Sequence, residues 1–545
     1  MRLGLALTVL IYLAYSSFGI ACPYLWGHHG YHGATYMLRA KMTLRFHMIT
    51  PATWAGFDYP PRFSWYFHHP IGYHHLLDLP LLVFGDHEWL ARAVAALGGL
   101  AVLAALYRLV NRWWSREFAL LACAVWIALP IVCSFSVLSD PMFPEMACSI
   151  LLVDLFLRYL AEPARKLFLQ AAAVIVAGGL LMWEVYFQVA FQGLAALVWV
   201  ALGRRQGRAR AGLVWILSTG FAAAATMAFH FAFTWKMGMA GDFQHSYGVR
   251  STANFDYVYQ RHKLWLELLY GWPLLGIGIA WLAVFLMRFA AGRARLRDQA
   301  VLIFFQINVI YVYLFREASS VHLYRVFWFS SFLTLAVTDL VWELAQLLQR
   351  FAPKRLVAVG ALVVSAGYFA VELPHSYRNL IESREKMGTH GPDHYDADYA
   401  KQLFAMEVAR RTGPEDFVFV HSSISKRIEF YYYMDRSNLD IGSLAQLPGL
   451  LLQHKRSLVL IDANPAPAEK QRMRELLRHH PGYQFDHYLL IDLRSDKPEF
   501  HEYEFQPKRP TPGWRWWVSH KYPPMQVVEV RHAWRNRDQV VELRP

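Results

Sequence analysis

Long apolar runs constrain this chain more than any other feature. A helix needs about 20 mostly apolar residues to cross the hydrocarbon core of a bilayer. Eleven runs approach that length, at residues 3–21, 89–110, 117–136, 144–161, 167–183, 186–202, 211–235, 265–288, 299–315, 325–347 and 355–373. Within lipid, backbone N–H and C=O groups are satisfied only in helices or closed barrels. The pattern therefore predicts an α-helical polytopic membrane bundle of about eleven transmembrane helices. Only 17% of the 545 residues are charged, against about a quarter in a soluble protein.

The apolar runs stop near Pro374, which divides the chain into a bundle, residues 1–374, and a soluble α/β domain, residues 375–545. In the second part DFVFVHSSI and RSLVLIDAN read as strands, with YQFDHYLLIDL as a third. YAKQLFAMEVARR and AEKQRMRELLRHH carry helical spacing. That alternation predicts a small parallel or mixed sheet. The stretch after Pro498 shows no period and reads as an irregular extension.

The net charge of +13 comes mainly from short loops. With the N-terminus in the cytoplasm, every loop on that side is basic: Arg112 and Arg116; Arg165 and Lys166; Arg204 to Arg210; Arg288 to Arg297; and Arg350 to Arg355. This is the positive-inside pattern. It explains the charge without nucleic acid, and after eleven spans it places the C-terminal domain outside, in the periplasm of a bacterium. The N-terminal run after Arg2 reads as an uncleaved first helix, because Gly19 makes the sequence before Cys22 a poor lipobox. The other cysteines, Cys123, Cys133 and Cys148, lie in or beside apolar runs. Neither a disulfide framework nor a zinc-thiolate site is expected.

The outward segments hold the candidate chemistry. The first loop, residues 22–88, contains HHGYHGATY and YFHHPIGYHH, with His28, His29, His32, His68, His69, His74 and His75. Imidazole is a common metal ligand, so a divalent cation is one reading, but the spacing fits no standard metal motif. The aromatics of this loop suit helices lying in the headgroup layer. No Gly-rich loop follows a strand, so nucleotide binding has no support.

The order of motifs resembles polyprenyl-phosphate-sugar-dependent membrane glycosyltransferases of the GT-C type, the superfamily of the protein mannosyltransferases and the aminoarabinose transferase. The resemblance rests on HGATYMLRAKMTLR with Tyr36 and Ala40, then His69–Pro70, Phe84–Gly85, Glu88 and Arg92. LSDPMFPEMACSILLVDLFLRYL and HLYRVFW continue it, to about residue 350. It implies that a carboxylate at the outer surface takes the proton of an acceptor hydroxyl as that oxygen attacks the anomeric carbon. Cations would stabilise the departing lipid phosphate. The partners implied are a polyprenyl-phosphate-linked sugar, a glycan, lipid or protein acceptor of the envelope, and membrane lipid.

The family places an acid just before the first-loop tyrosine, where this chain has His32 followed by Gly33. Histidine also serves as a general base. The other outward acids are Asp58, Asp78, Asp86, Glu88, Asp140, Glu145 and Glu184. The candidate catalytic set is Asp140, His32, Glu145 and Glu184. Asp140 reads equally as the N-cap of the following helix, and Glu184 as a headgroup-level acid. Arg316, His322, Tyr324, Arg325 and His69 are candidates for the donor phosphate, while Tyr36, His245, Arg250 and Arg261 are candidates for the acceptor or a lid. Two other functions fit a bundle of this kind: a lipid-carrier flippase and a membrane-anchored glycan-binding scaffold.

Overall fold

The computed structural model describes residues 2–17, 20, 24, 28–49, 52–53, 64–65, 69–201, 206–241, 244–245, 248, 252–349, 351–382, 399–424, 428–454, 456–507 and 525–531. Helices run through all eleven apolar runs, within the described residues. The first ten helices are α1 (Arg2–Ser17), α2 (His28–Arg45), α3 (Gly72–Phe84), α4 (Glu88–Trp113), α5 (Arg116–Ala128), α6 (Pro130–Phe135), α7 (Met142–Ala161), α8 (Arg165–Leu181), α9 (Glu184–Ala201) and α10 (Gln206–Lys236). The later runs lie in Phe255–Tyr270, Trp272–Ala290, Asp298–Gln306, Phe329–Leu348 and Lys354–Glu382.

Length and hydropathy sufficient to cross a membrane are met by Glu88–Trp113, Arg210–Lys236, Trp272–Ala290 and Arg325–Leu348 among the described residues. Several other runs are interrupted. Pro130 has no N–H to continue α5 and instead opens α6. Gly271, at φ 72°, separates Phe255–Tyr270 from Trp272–Ala290. The run 299–315 passes through a π-turn at Ile307–Tyr311, a feature that is frequent at functional sites.

Helix α4 is the axis of the bundle, packed on α5 and α7. Its close contacts require small residues: a Cβ at Gly99 would lie 1.8 Å from the Tyr12 hydroxyl of α1. At the far end of α4, the buried Asp339 carboxylate accepts from Trp114 Nε1 at 2.9 Å, Trp281 Nε1 at 3.1 Å and Arg288 at 2.9 Å, and Arg297 lies 3.2 Å away. Asp154 of α7 similarly holds Arg108 and Arg112. Apart from Arg108, which lies within the run 89–110, these arginines belong to the loops that read as cytoplasmic. Their pairing with buried acids adds a role that loop charge alone did not indicate.

Two helices fold out of the first loop. Leu76, Leu79, Leu82, Val83 and Phe84 make α3 apolar on its exposed side, as a helix lying in a membrane surface requires. Helix α2 is buried beneath it, with Tyr36, Tyr73 and Leu77 in a common cluster.

After residue 399 the chain forms a seven-stranded sheet in the order β4-β3-β5-β7-β6-β8-β9. The strands are β3 (Phe417–His421), β4 (Ser437–Ile441), β5 (Ser457–Asp462), β6 (Gly482–Phe485), β7 (Tyr488–Asp492), β8 (Phe500–Pro507) and β9 (Met525–Arg531). The labels β1 and β2 belong to two-residue strands, Ala52–Thr53 and Ser64–Trp65. Strands β4, β3 and β5 are parallel. Two sequence expectations need correction, and one strand went unread. YQFDHYLLIDL is a hairpin, not one strand, because Asp486 adopts φ 54° and reverses the chain. SNLDI is a strand that its polar residues concealed. The stretch after Pro498 contains β8 and β9, whose pairing is invisible to a local period.

Asp416 ties this sheet together. Its carboxylate accepts from the Gly413 amide at 2.7 Å and from Arg456 Nε at 3.0 Å, and it pairs with Arg494. Burial pushes its pKa up, but the Gly413 amide, Arg456 and Arg494 outweigh that and hold it below the usual carboxylate value. A depressed folded-state pKa contributes stability above the unfolded value of about 3.9, and the contribution is lost as pH falls through the folded value. Asp416→Asn is expected to cost about 1.5–3 kcal/mol at pH 7 and to weaken the acid dependence of unfolding below pH 5. Calorimetry of the full-length protein between pH 7 and 2 checks this; an acid limb identical to that of the unsubstituted protein would contradict it.

Candidate functional site

The bundle brings Asp140 and His32 together. Asp140 closes the bend between α6 and α7, and α2 places His32 above it. His32 Nδ1 lies 3.1 Å from Asp140 Oδ2, with both side chains buried. The other oxygen of Asp140, Oδ1, accepts the Met142 N–H at 3.1 Å. Asp140 thus bonds the first N–H of α7 and holds a histidine. With Nδ1 donating to the carboxylate, His32 Nε2 is left as the basic nitrogen. The His322 ring stands 6.3 Å from that of His32, nearly perpendicular to it.

A second buried pair adjoins the first. Arg325 Nη1 donates to Glu184 Oε1 at 2.7 Å and to the Tyr311 hydroxyl at 3.1 Å. Glu184 is within electrostatic reach of both Asp140 and Glu145. On Glu145, Oε1 accepts from Ser149 at 2.9 Å. Glu145 Oε2 and Glu184 Oε2 are buried and have no hydrogen-bond partner among the described residues. Ionised groups at such depth are costly unless paired or put to use. Three carboxylates, two histidines and one arginine thus meet at the loop end of the bundle.

The remaining predicted residues are more dispersed. Tyr36 lies near the pair, its ring 6.0 Å from His32 and 4.8 Å from Tyr73. His69 is half-buried just before α3, and Arg316 opens the short helix Arg316–Val321. Tyr324 lies in the 3-10 turn Leu323–Trp328, with its side chain outside the described residues. His245 is exposed. Arg261 lies over Tyr257 of its own helix, at 5.3 Å. Arg250 falls outside the described residues. Sequence reasoning missed Tyr73, whose buried hydroxyl is within electrostatic reach of Asp140, and Tyr311. Tyr73 follows the His69–Pro70 motif closely, so it was open to discovery; Tyr311 carried no local signal.

Among the described residues no group of three His, Cys, Asp or Glu is placed to hold a metal ion. The divalent-cation reading gains no support from them, and the paired Asp140 and Glu184 already have protein partners.

The long apolar helices, with this buried polar cluster at one end, are those of a multi-pass membrane protein. Residues 68–230 match the sequence model of the dolichyl-phosphate-mannose-protein mannosyltransferase family. The fold is similar to ArnT from Cupriavidus metallidurans, solved bound to undecaprenyl phosphate and in the apo state. Each comparison has a TM-score of 0.54 at 14% identity and covers 89% of this chain and 97% of that one. It is also similar to the apo oligosaccharyltransferase of Archaeoglobus fulgidus, with a TM-score of 0.50 at 13% identity, over 88% of this chain and 73% of that chain. No curated protein sequence matches.

Proposed function

We propose that the protein is an integral membrane glycosyltransferase that moves a sugar from a polyprenyl-phosphate donor to an acceptor hydroxyl at the outer face of the bacterial inner membrane. The observation that carries the reading is the His32–Asp140 pair, 3.1 Å apart, set beside the buried Glu184–Arg325 pair. One pair suits proton removal, the other the neighbourhood of a leaving anion. ArnT was solved with undecaprenyl phosphate, which supports a polyprenyl phosphate as the donor's carrier.

In this reading Asp140 orients His32, and His32 Nε2 takes the acceptor hydroxyl's proton. That oxygen bonds to the anomeric carbon as the bond from that carbon to the phosphate oxygen breaks, and the electron pair leaves with the phosphate. Arg325 and His322 stabilise the growing negative charge. Eleven spans, a cytoplasmic N-terminus and a periplasmic sheet domain place these groups on the outer side, as the basic loops indicate. The domain division is near residue 374; Arg316 and His69 would serve the lipid phosphate, and the segment with His245 and Arg261 the acceptor.

The test offers purified protein in nanodiscs radiolabelled polyprenyl-phosphate hexose or pentose with envelope extracts as acceptor. Transfer of label to a glycan, lipid or protein is expected. Failure of every donor, together with flipping of labelled carrier lipid in vesicles, would replace this reading with a flippase.

A further inference from the structure

One contact between the sheet and the bundle has no part in the chemistry above. The helix Ile428–Met434, which lies between β3 and β4, sets two tyrosines into the first loop. The Tyr432 hydroxyl donates to Asp86 Oδ1 at 2.7 Å. The Tyr433 hydroxyl donates to Glu88 Oε1 at 3.2 Å and accepts the Tyr24 N–H at 2.5 Å. Asp435 ends this helix at φ 42°, a left-handed conformation that Asp tolerates better than most residues. Its carboxylate takes Lys41 at 3.0 Å and Arg45 at 3.1 Å, both on α2.

These contacts lead to His32 through a ring. Tyr24 is fully buried, and its ring meets that of Tyr432 edge-on at 5.0 Å. It also fills the notch at Gly33, where a Cβ would lie 2.1 Å from a Tyr24 ring carbon. Gly33 is the neighbour of His32. Helix α2 is thus gripped near His32 through Tyr24 and near its C-terminus through Lys41 and Arg45. It needs such support: it contains Gly30 and Gly33, seven other residues of weak helix preference (His, Tyr and Thr), and no acidic first turn.

We infer that Tyr432, Tyr433 and Asp435 are positioning residues, through which the docked sheet domain sets the placement of α2 so that His32 meets Asp140. The sheet domain acts on the base from behind and does not need to touch the sugar. The hydroxyls bond to carboxylates, and such charge-assisted bonds are stronger than neutral ones.

The test uses the full-length protein in nanodiscs with Tyr432→Phe, Tyr433→Phe and the double variant, which keep the rings and remove only the hydroxyls. Hydrogen exchange is followed over residues 34–42. In the double variant exchange there is expected to rise about tenfold, with β3, β5 and α4 unchanged. Unchanged exchange in α2 would overturn the inference, as would equally faster exchange through the sheet.

A second readout rests on the glycosyl-transfer reading. With radiolabelled polyprenyl-phosphate hexose, kcat should fall about tenfold with KM unaltered. A raised KM at unchanged kcat would overturn positioning and assign the contact to acceptor capture. Tyr432→Phe and Asp86→Asn together should cost no more than either alone; additive losses would count against the inference. If the unsubstituted protein transfers no sugar, glycosyl transfer fails and the exchange readout still decides the positioning.

Discussion

Asp140→Asn is expected to lower the transfer rate by about 10²- to 10⁴-fold, the usual contribution of a general base and its orienting group, with little loss of folded protein. The amide oxygen can still accept the Met142 N–H, so the α7 cap survives. Its NH2 group, however, would face His32 Nδ1 and favour the tautomer whose proton sits on Nε2, removing the lone pair that the acceptor needs. Initial rates of label transfer, with thermal unfolding as the folding control, check this. A variant within about threefold of the unsubstituted rate would leave Asp140 as a helix cap and no more. His32→Gln should be as slow, and the double variant no slower than either single, because the two side chains act as one unit.

Arg325→Gln is the second large effect. Removing one partner of a buried pair leaves the other charge uncompensated, at a cost of about 3–5 kcal/mol. Glu184 is almost wholly buried, so a clear fall in the unfolding temperature is expected. Loss of the cation beside a leaving phosphate should lower kcat by a further 10²- to 10³-fold. Adding Glu184→Gln separates the two roles. The double substitution removes the orphaned carboxylate and should recover most of the stability but none of the rate. If the rate returns with the stability, the pair is structural and the phosphate is held elsewhere.

The bundle was legible because its signal is local. A run of apolar residues identifies a helix wherever it sits, and helices run through all eleven within the described residues. The loops were less legible. The break at Pro130 follows from one residue, whereas the pairing of Arg288 and Arg297 with Asp339 joins distant segments. In the sheet, the strands of DFVFVHSSI and RSLVLIDAN stood out through their continuous apolar residues. SNLDI did not, because two of its five residues carry amide or carboxylate side chains.

The candidate site divides in the same way. Asp140, His32, Glu184 and Arg325 were each visible as polar groups in the sequence, and the motif order pointed to a fold that the comparison with ArnT supports. Which of them meet was not visible. His32 and Asp140 are separated by four helices of chain, α3 to α6, and Glu184 and Arg325 by several. Only packing α2 over the α6–α7 bend, and α9 against the Arg325 turn, sets the two pairs side by side. The grip of Tyr432 and Tyr433 on Tyr24 spans still more chain. Hydropathy is a sum over neighbours in sequence, so the sequence alone determined the membrane class and the helices. Hydrogen bonds and ion pairs depend on a few tenths of an ångström between distant side chains, so only the tertiary structure decided which acid holds the histidine and how the sheet domain reaches it.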